Sequence, residues 1–225
     1  MRSPLLAVLL CVAALATGCG DAGVPVGTDR LVRDMTRQLE RGSQLRYRAD
    51  YQLAGGNRAT VAQQASPSRV AYGYPGGVLI VGEQERTACD LVSKPPRCEV
   101  RALAGASPGP PGSGYPEPMK KGLVTGPVVA DLLRLVTLQP ESTVKPHDTT
   151  IAGLPASCLE VYGLVDAPVV NFTACVTADG VLASFSGVIN GVIVDQALVK
   201  LELRVPDPAE LAPPNGANVV DLRQP

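Results

Sequence analysis

Between Ser157 and Val205, three apolar-rich runs are joined by Asp179-Gly180 and Asn190-Gly191, the dipeptides that most favour tight hairpin turns. The pattern predicts an antiparallel meander. With Asp179-Gly180 as a two-residue loop, Ala178 stands opposite Val181, and the register sets Val176, Ala174, Phe172 and Val170 against Ala183, Phe185, Gly187 and Ile189. That face is nearly all apolar. The other carries Asn171, Thr173, Cys175, Thr177, Ser184 and Ser186, so one side of the ribbon is expected to be buried and the other wet or thinly covered. Along the third run Val192 and Val194 share one parity, whereas Val199, Leu201, Leu203 and Val205 take the other. A strand that switches faces is expected to bend or bulge, and strong curvature is what a partly closed barrel needs.

Upstream, the spacing of Leu31, Met35 and Leu39 predicts a helix from an N-cap at Thr28 to a C-cap at Gly42, with Arg30, Arg33, Arg37 and Arg41 on its solvated face. Leu45, Tyr47, Ala49, Tyr51 and Leu53 alternate with Arg46, Arg48, Asp50 and Gln52, the period-two signature of a half-buried strand. Further strands are expected at 59–64, 69–72, 78–81, 85–91 and 97–102, separated by Gly55-Gly56-Asn57, Ser66-Pro67, Pro75-Gly76-Gly77 and Pro95-Pro96. Leu103 to Pro118 is rich in proline and glycine and is expected to be a structureless surface loop. Val128, Val129, Leu132, Leu133, Leu135 and Val136 follow Pro127 in a helix too apolar to stand in water, so it must pack on the sheet. Beyond Val205, prolines are expected to end regular structure and leave a surface tail.

The N-terminus reads as a targeting segment, with Arg2 ahead of an apolar run from Leu5 to Leu15 that is too short to span a bilayer. Leu15-Ala16-Thr17-Gly18-Cys19 resembles the lipobox of a bacterial lipoprotein signal, with Ala16 where Leu is commoner. The resemblance implies a signal peptide over 1–18 and a lipidated Cys19 opening a tether over 19–27 on the extracytoplasmic face of the membrane; residues 28–225, with no repeat or compositional break, read as a single domain. An ordinary secretory signal cut near the same place is the alternative, and it too exports the chain.

Export changes the cysteine count, because Cys11 leaves with the signal and Cys19 carries the lipid, so that Cys89, Cys98, Cys158 and Cys175 remain for two disulfides. Three connectivities are possible. Pairing Cys158 to Tyr162 with Asn171 to Cys175 in a hairpin puts Cys158 opposite Cys175, and the same geometry favours Cys89 with Cys98. Each bridge is expected to contribute about 3 kcal/mol. A formal net charge of −1 offers no electrostatic footprint for nucleic acid. The chain has one histidine, His147 beside Asp148, and no nucleophile elbow, phosphate loop, dinucleotide fingerprint or zinc motif, so no catalysis, metal or cofactor is expected.

The order of lipobox, tether, amphipathic helix, strand-rich half, apolar helix and meander, with a closing Ala-Pro-Pro-Asn-Gly-Ala-Asn-Val, looks like the actinobacterial LprG/LppX-type lipoproteins, related in fold to the LolA carriers. The resemblance implies an α+β fold, a strongly curved antiparallel sheet (half-barrel) with helices packed across its open side, around a cavity for the acyl chains of a lipid or glycolipid. The four cysteines depart from that family. The expected cavity wall is Val170, Phe172, Ala174, Val176, Val181, Ala183, Phe185 and Ile189 on the meander with Leu132 and Val136 on the apolar helix. No Trp and only two Phe favour a cavity, since Val and Ala fill less volume. The same parts would equally build a filled core in a monomeric envelope lipoprotein that binds another partner.

Overall fold

The computed structural model describes residues 27–103 and 116–223, so the signal segment, Cys19 and the tether up to residue 26 lie outside the described residues. The alternating pattern becomes two antiparallel meanders. The first is β1 (Tyr47–Leu53), β2 (Arg58–Gln64), β3 (Arg69–Tyr74), β4 (Gly77–Val81), β5 (Glu85–Asp90) and β6 (Arg97–Ala102). The second is β7 (Thr143–Ile151), β8 (Leu154–Tyr162), β9 (Phe172–Thr177), β10 (Leu182–Ile189) and β11 (Val192–Glu202). β1 pairs with β11, which joins the two into one open sheet, and β12 (Asn218–Asp221) adds to β6 in parallel. Helices α1 (Thr28–Gly42), the single turn α2 (Pro116–Met119) and α3 (Gly126–Thr137) complete an α+β half-barrel.

One face of the sheet carries the core. Val32, Met35 and Leu39 of α1 and Val129, Leu132, Leu133 and Val136 of α3 pack with Leu159, Val161, Phe172, Ala174, Val176, Phe185, Ile189 and Val194 from β8–β11. A second cluster under β1–β4 contains Tyr47, Ala49, Tyr51, Leu53, Val61, Tyr72 and Leu79, as the period-two reading of the first strand requires. The α1 arginines stay outside. Arg30 and Arg33 pair with Asp34 and Asp29 of the same helix at 3.8 and 3.9 Å, which makes that stripe a solvated face.

Both disulfides form as the hairpin register requires, Cys89 opposite Cys98 and Cys158 opposite Cys175. The face switch is also present. The β1–β11 register shifts between Asp50 and Tyr51, leaving Val194, Gln196 and Leu198 buried and Val199 exposed. Leu203 and Val205 are more than half exposed (56% and 58%), so beyond the bulge only Leu201 still packs against the core.

Four expectations need correction. Gly27, not Thr28, precedes the first turn of α1, and Gly42 is the helix's last residue rather than a left-handed cap. Its missing side chain serves a close approach instead: a Cβ there would lie 2.0 Å from the Gly180 carbonyl oxygen. The proline-rich segment ends sooner than expected, because Pro116–Met119 is helical and buries Met119; residues 104–115 lie outside the described residues. Thr143–Ile151, where no strand was expected, is the edge strand β7, which has no apolar parity because nearly every residue on it is exposed. The tail is not merely surface, for Leu211 is buried against Ala62, Ala71 and Ile80 on the outer face, and β12 extends the sheet.

A charge cluster fixes that tail. The Glu210 carboxylate accepts hydrogen bonds from Arg204 at 2.9 Å, from the Asp207 N–H at 2.7 Å and from Arg48 of β1 at 2.5 Å. The Arg204 guanidinium above all, with the Asp207 N–H and Arg48, pulls its pKa from 4.5 down to about 2 against the opposing effect of burial. A depressed carboxylate stabilises the fold above its unfolded pKa, and that contribution disappears as pH falls from about 4.5 towards 2. Urea unfolding of Glu210→Gln is therefore expected to show a deficit against wild type at pH 6 that shrinks at pH 3. A deficit equal at both pH values would show that the ionised carboxylate is not what holds the tail.

Candidate functional site

A cavity of about 220 Å³ lies where the C-terminal turn of α1 and the start of α3 stand over β1–β3. Period two turns Tyr47 and Tyr51 of β1 inward, and β2 and β3 add Val61 and Tyr72 beside them. Leu39 of α1, Val124 and Pro127 before and in α3, Ala130 and Leu182 complete an apolar lining. Glu40, Ser43, Gln63, Asp131 and Arg134 supply its polar edge.

Three local devices hold these walls apart at a fixed distance. Gln196, fully buried on β11, accepts from the Val124 N–H at 2.6 Å and donates to the Val124 carbonyl at 3.0 Å, so the approach to α3 is tied to the sheet. The end of α1 rests on the β9–β10 turn through the Gly42–Gly180 approach, and Gln38 donates to the Thr177 carbonyl at 2.7 Å. Gln63 of β2 donates to the Gly42 and Leu45 carbonyls at 2.9 and 3.1 Å, satisfying the open end of the helix.

The floor is electrically quiet. The Tyr51 hydroxyl donates to the Leu182 carbonyl at 2.8 Å, and burial raises the pKa of both Tyr47 and Tyr51, so both remain neutral phenols. The Thr125 hydroxyl at the cavity's end is buried without a hydrogen-bond partner. Across the mouth, Arg134 of α3 binds Glu40 of α1 at 2.7 Å and Asp131 of its own helix at 2.5 Å. Such an arrangement has no nucleophile and base in contact. It is suited to holding an apolar group.

None of the ten residues expected to form the cavity wall lines this cavity. Phe172, Ala174, Val176, Phe185, Ile189, Leu132 and Val136 do come together, but as a packed core in which the Phe172 and Phe185 rings stack at 5.6 Å. Val181 is buried in the neighbouring tyrosine cluster. Val170 is 59% exposed, because β9 begins only at Phe172 and Val169 takes the buried place. Ala183 faces the other way, among Ala156, Cys158 and Cys175. The reason is the turn: Thr177 N–H reaches the Val181 carbonyl and Gly180 N–H the Thr177 carbonyl, which needs one more residue than a two-residue loop. A bulge between Leu182 and Ser184 absorbs it, so Val176 opposes Leu182 while Phe185 and Gly187 keep the expected partners Ala174 and Phe172.

The residues that do form the cavity left weaker signals. Tyr47 and Tyr51 sit on the strand face read as buried, where two hydroxyls are an unusual load. Gln196 is a lone polar residue on the parity of Val192, Val194 and Leu198, the pattern of a buried group with a dedicated partner.

No protein-family model matches the chain, and no curated protein matches it. Among solved structures it is similar to an uncharacterized conserved protein from Thermus thermophilus, with TM-score 0.51 and 13% identity over 85% of this chain and 99% of that one. It is also similar to MucB, with TM-score 0.50 and 14% identity; 84% of this chain is covered, and it spans 65% of the MucB chain. At these identities the likeness is one of fold, the open half-barrel. The open half-barrel expected from a resemblance to LprG/LppX lipoproteins is present, but kinship with that family is not shown.

Proposed function

We propose that the protein is a non-enzymatic binding protein of the cell envelope, anchored outside the cytoplasmic membrane through Cys19, that takes the end of one acyl or alkyl chain between α1, α3 and β1–β3. The observation that carries this reading is the cavity floored by Tyr47, Tyr51, Val61 and Tyr72 and left open beside an otherwise filled core. Two disulfides support an oxidising compartment, and among the described residues no helix is long and apolar enough to cross a membrane. A half-barrel of the LolA kind supports the lipid reading by architecture.

Size narrows the ligand. Drug-sized sites span about 300–1,000 Å³, and the cavity is about 220 Å³. Each methylene buried there contributes about 0.8 kcal/mol before the cost of association. That size suits one chain end better than a whole diacyl lipid. The same size favours a second reading, in which one bulky apolar side chain of a partner protein enters the cavity.

The chain from Asp21 onward retains every described contact, because the core and both disulfides lie within residues 27–223. Purified without detergent, it is expected to release a single-chain lipid on solvent extraction and to bind a fluorescent acyl probe saturably. Neither lipid nor saturable binding would overturn the acyl reading in favour of a protein partner.

A further inference from the structure

The charges at the cavity mouth restrict the head of the molecule whose tail the cavity holds. Three ionisable side chains line the opening, Glu40, Asp131 and Arg134, and they carry a formal sum of −1. Arg134 is the sole cation among them and is already committed, with one terminal nitrogen on Glu40 at 2.7 Å and the other on Asp131 at 2.5 Å. These contacts use two of its five N–H donors, but the two carboxylates together outweigh its single positive charge.

Backbone dipoles do not change the balance. The C-terminal turn of α1 brings about half a negative charge and the N-terminal turn of α3 about half a positive one to opposite walls. Arg41, the next cation on α1, is exposed and does not line the cavity. Inside, the only other polar groups are hydroxyls, the Gln63 amide and backbone, and none carries charge at neutral pH.

Resting on the acyl-chain reading above, we infer that this site selects single-chain amphiphiles whose head is uncharged or cationic and rejects those with an anionic head. An uncharged head lies against the Glu40–Arg134 bridge without breaking it. A cationic head gains from the uncompensated carboxylate. An anionic head sits beside that same uncompensated negative charge, and the repulsion is how the site discriminates between chains the apolar floor cannot tell apart.

The test uses three probes with the same tail, octyl glucoside, octyltrimethylammonium and octanoate, titrated below micelle formation into the chain from Asp21 onward and followed by NMR. The uncharged and cationic probes are expected to bind, with octanoate weaker by about tenfold or more. The double variant Glu40→Gln, Asp131→Asn keeps side-chain size, frees Arg134 and turns the mouth to +1; it is expected to bring octanoate level with or ahead of octyltrimethylammonium. Octanoate binding wild type as tightly as octyl glucoside would overturn the head-group inference and leave the acyl cavity standing. So would an unchanged order of the three in the double variant. Failure of all three probes to bind wild type would remove the acyl cavity itself, and the head-group inference with it.

Discussion

Phe185→Ala is expected to lower the unfolding free energy by about 3–5 kcal/mol, the range for deleting a fully buried aromatic ring whose surroundings cannot collapse. Phe185 has no exposed surface, stacks on Phe172 at 5.6 Å and sits within the cluster that both α1 and α3 cover. The one other phenylalanine in the chain, Phe172, is its stacking partner and is itself buried in the same cluster. Urea unfolding followed by circular dichroism measures the change. A loss under about 1 kcal/mol would mean that the meander face borders empty space rather than a packed core, and the separation of core from cavity would fail.

The second large effect belongs to a polar group. Gln196→Leu keeps the approximate shape but strands both the N–H and the carbonyl of Val124, a residue 1% exposed. Each buried group left without a partner costs about 1–3 kcal/mol, so the variant is expected to lose more than most single hydrogen-bond deletions do. The loss should be local as well as global. Hydrogen exchange at Val129, whose N–H donates to the Thr125 carbonyl in the first turn of α3, is expected to quicken more than exchange on β8 and β9, because the Val124 clamp is what fixes that turn to the sheet. A stability loss with uniform exchange would contradict the clamp.

How much of this was legible in the sequence depends on whether a segment's surroundings are local. The meander register followed from Asp179-Gly180, Asn190-Gly191 and strict alternation, and it placed Cys158 on Cys175 and Phe185 on Ala174. Asn190 and Gly191 both take left-handed backbone, the requirement of a two-residue hairpin. The turn at Thr177–Val181 was not legible to the residue, because its extra position is fixed by contact with Gly42 and Gln38 of a distant helix. That one residue turned Ala183 to the outer face. β7 gave no signal since an exposed edge strand needs no apolar parity, and β12 gave none since a four-residue parallel pairing is decided by its partner.

The cavity's position was beyond the pattern for a different reason. An apolar strand face looks the same in sequence whether a helix fills it or stops short of it. α3 presents Leu132, Leu133 and Val136 directly to the meander, so that half is solid; its start, raised on the Val124–Gln196 clamp, leaves the tyrosine half only partly covered. Only the placement of α3 relative to β1–β3 separates core from site.

That placement is tested most directly at Ala130, a buried α3 residue whose methyl lines the cavity. Octyl glucoside binding by Ala130→Phe, measured beside its urea unfolding, is expected to fall about tenfold or more while stability changes by less than about 1 kcal/mol, since the ring enters existing space instead of overpacking. Undiminished binding in a stably folded Ala130→Phe protein would contradict the account, because the chain would then be held somewhere other than between α1, α3 and β1–β3.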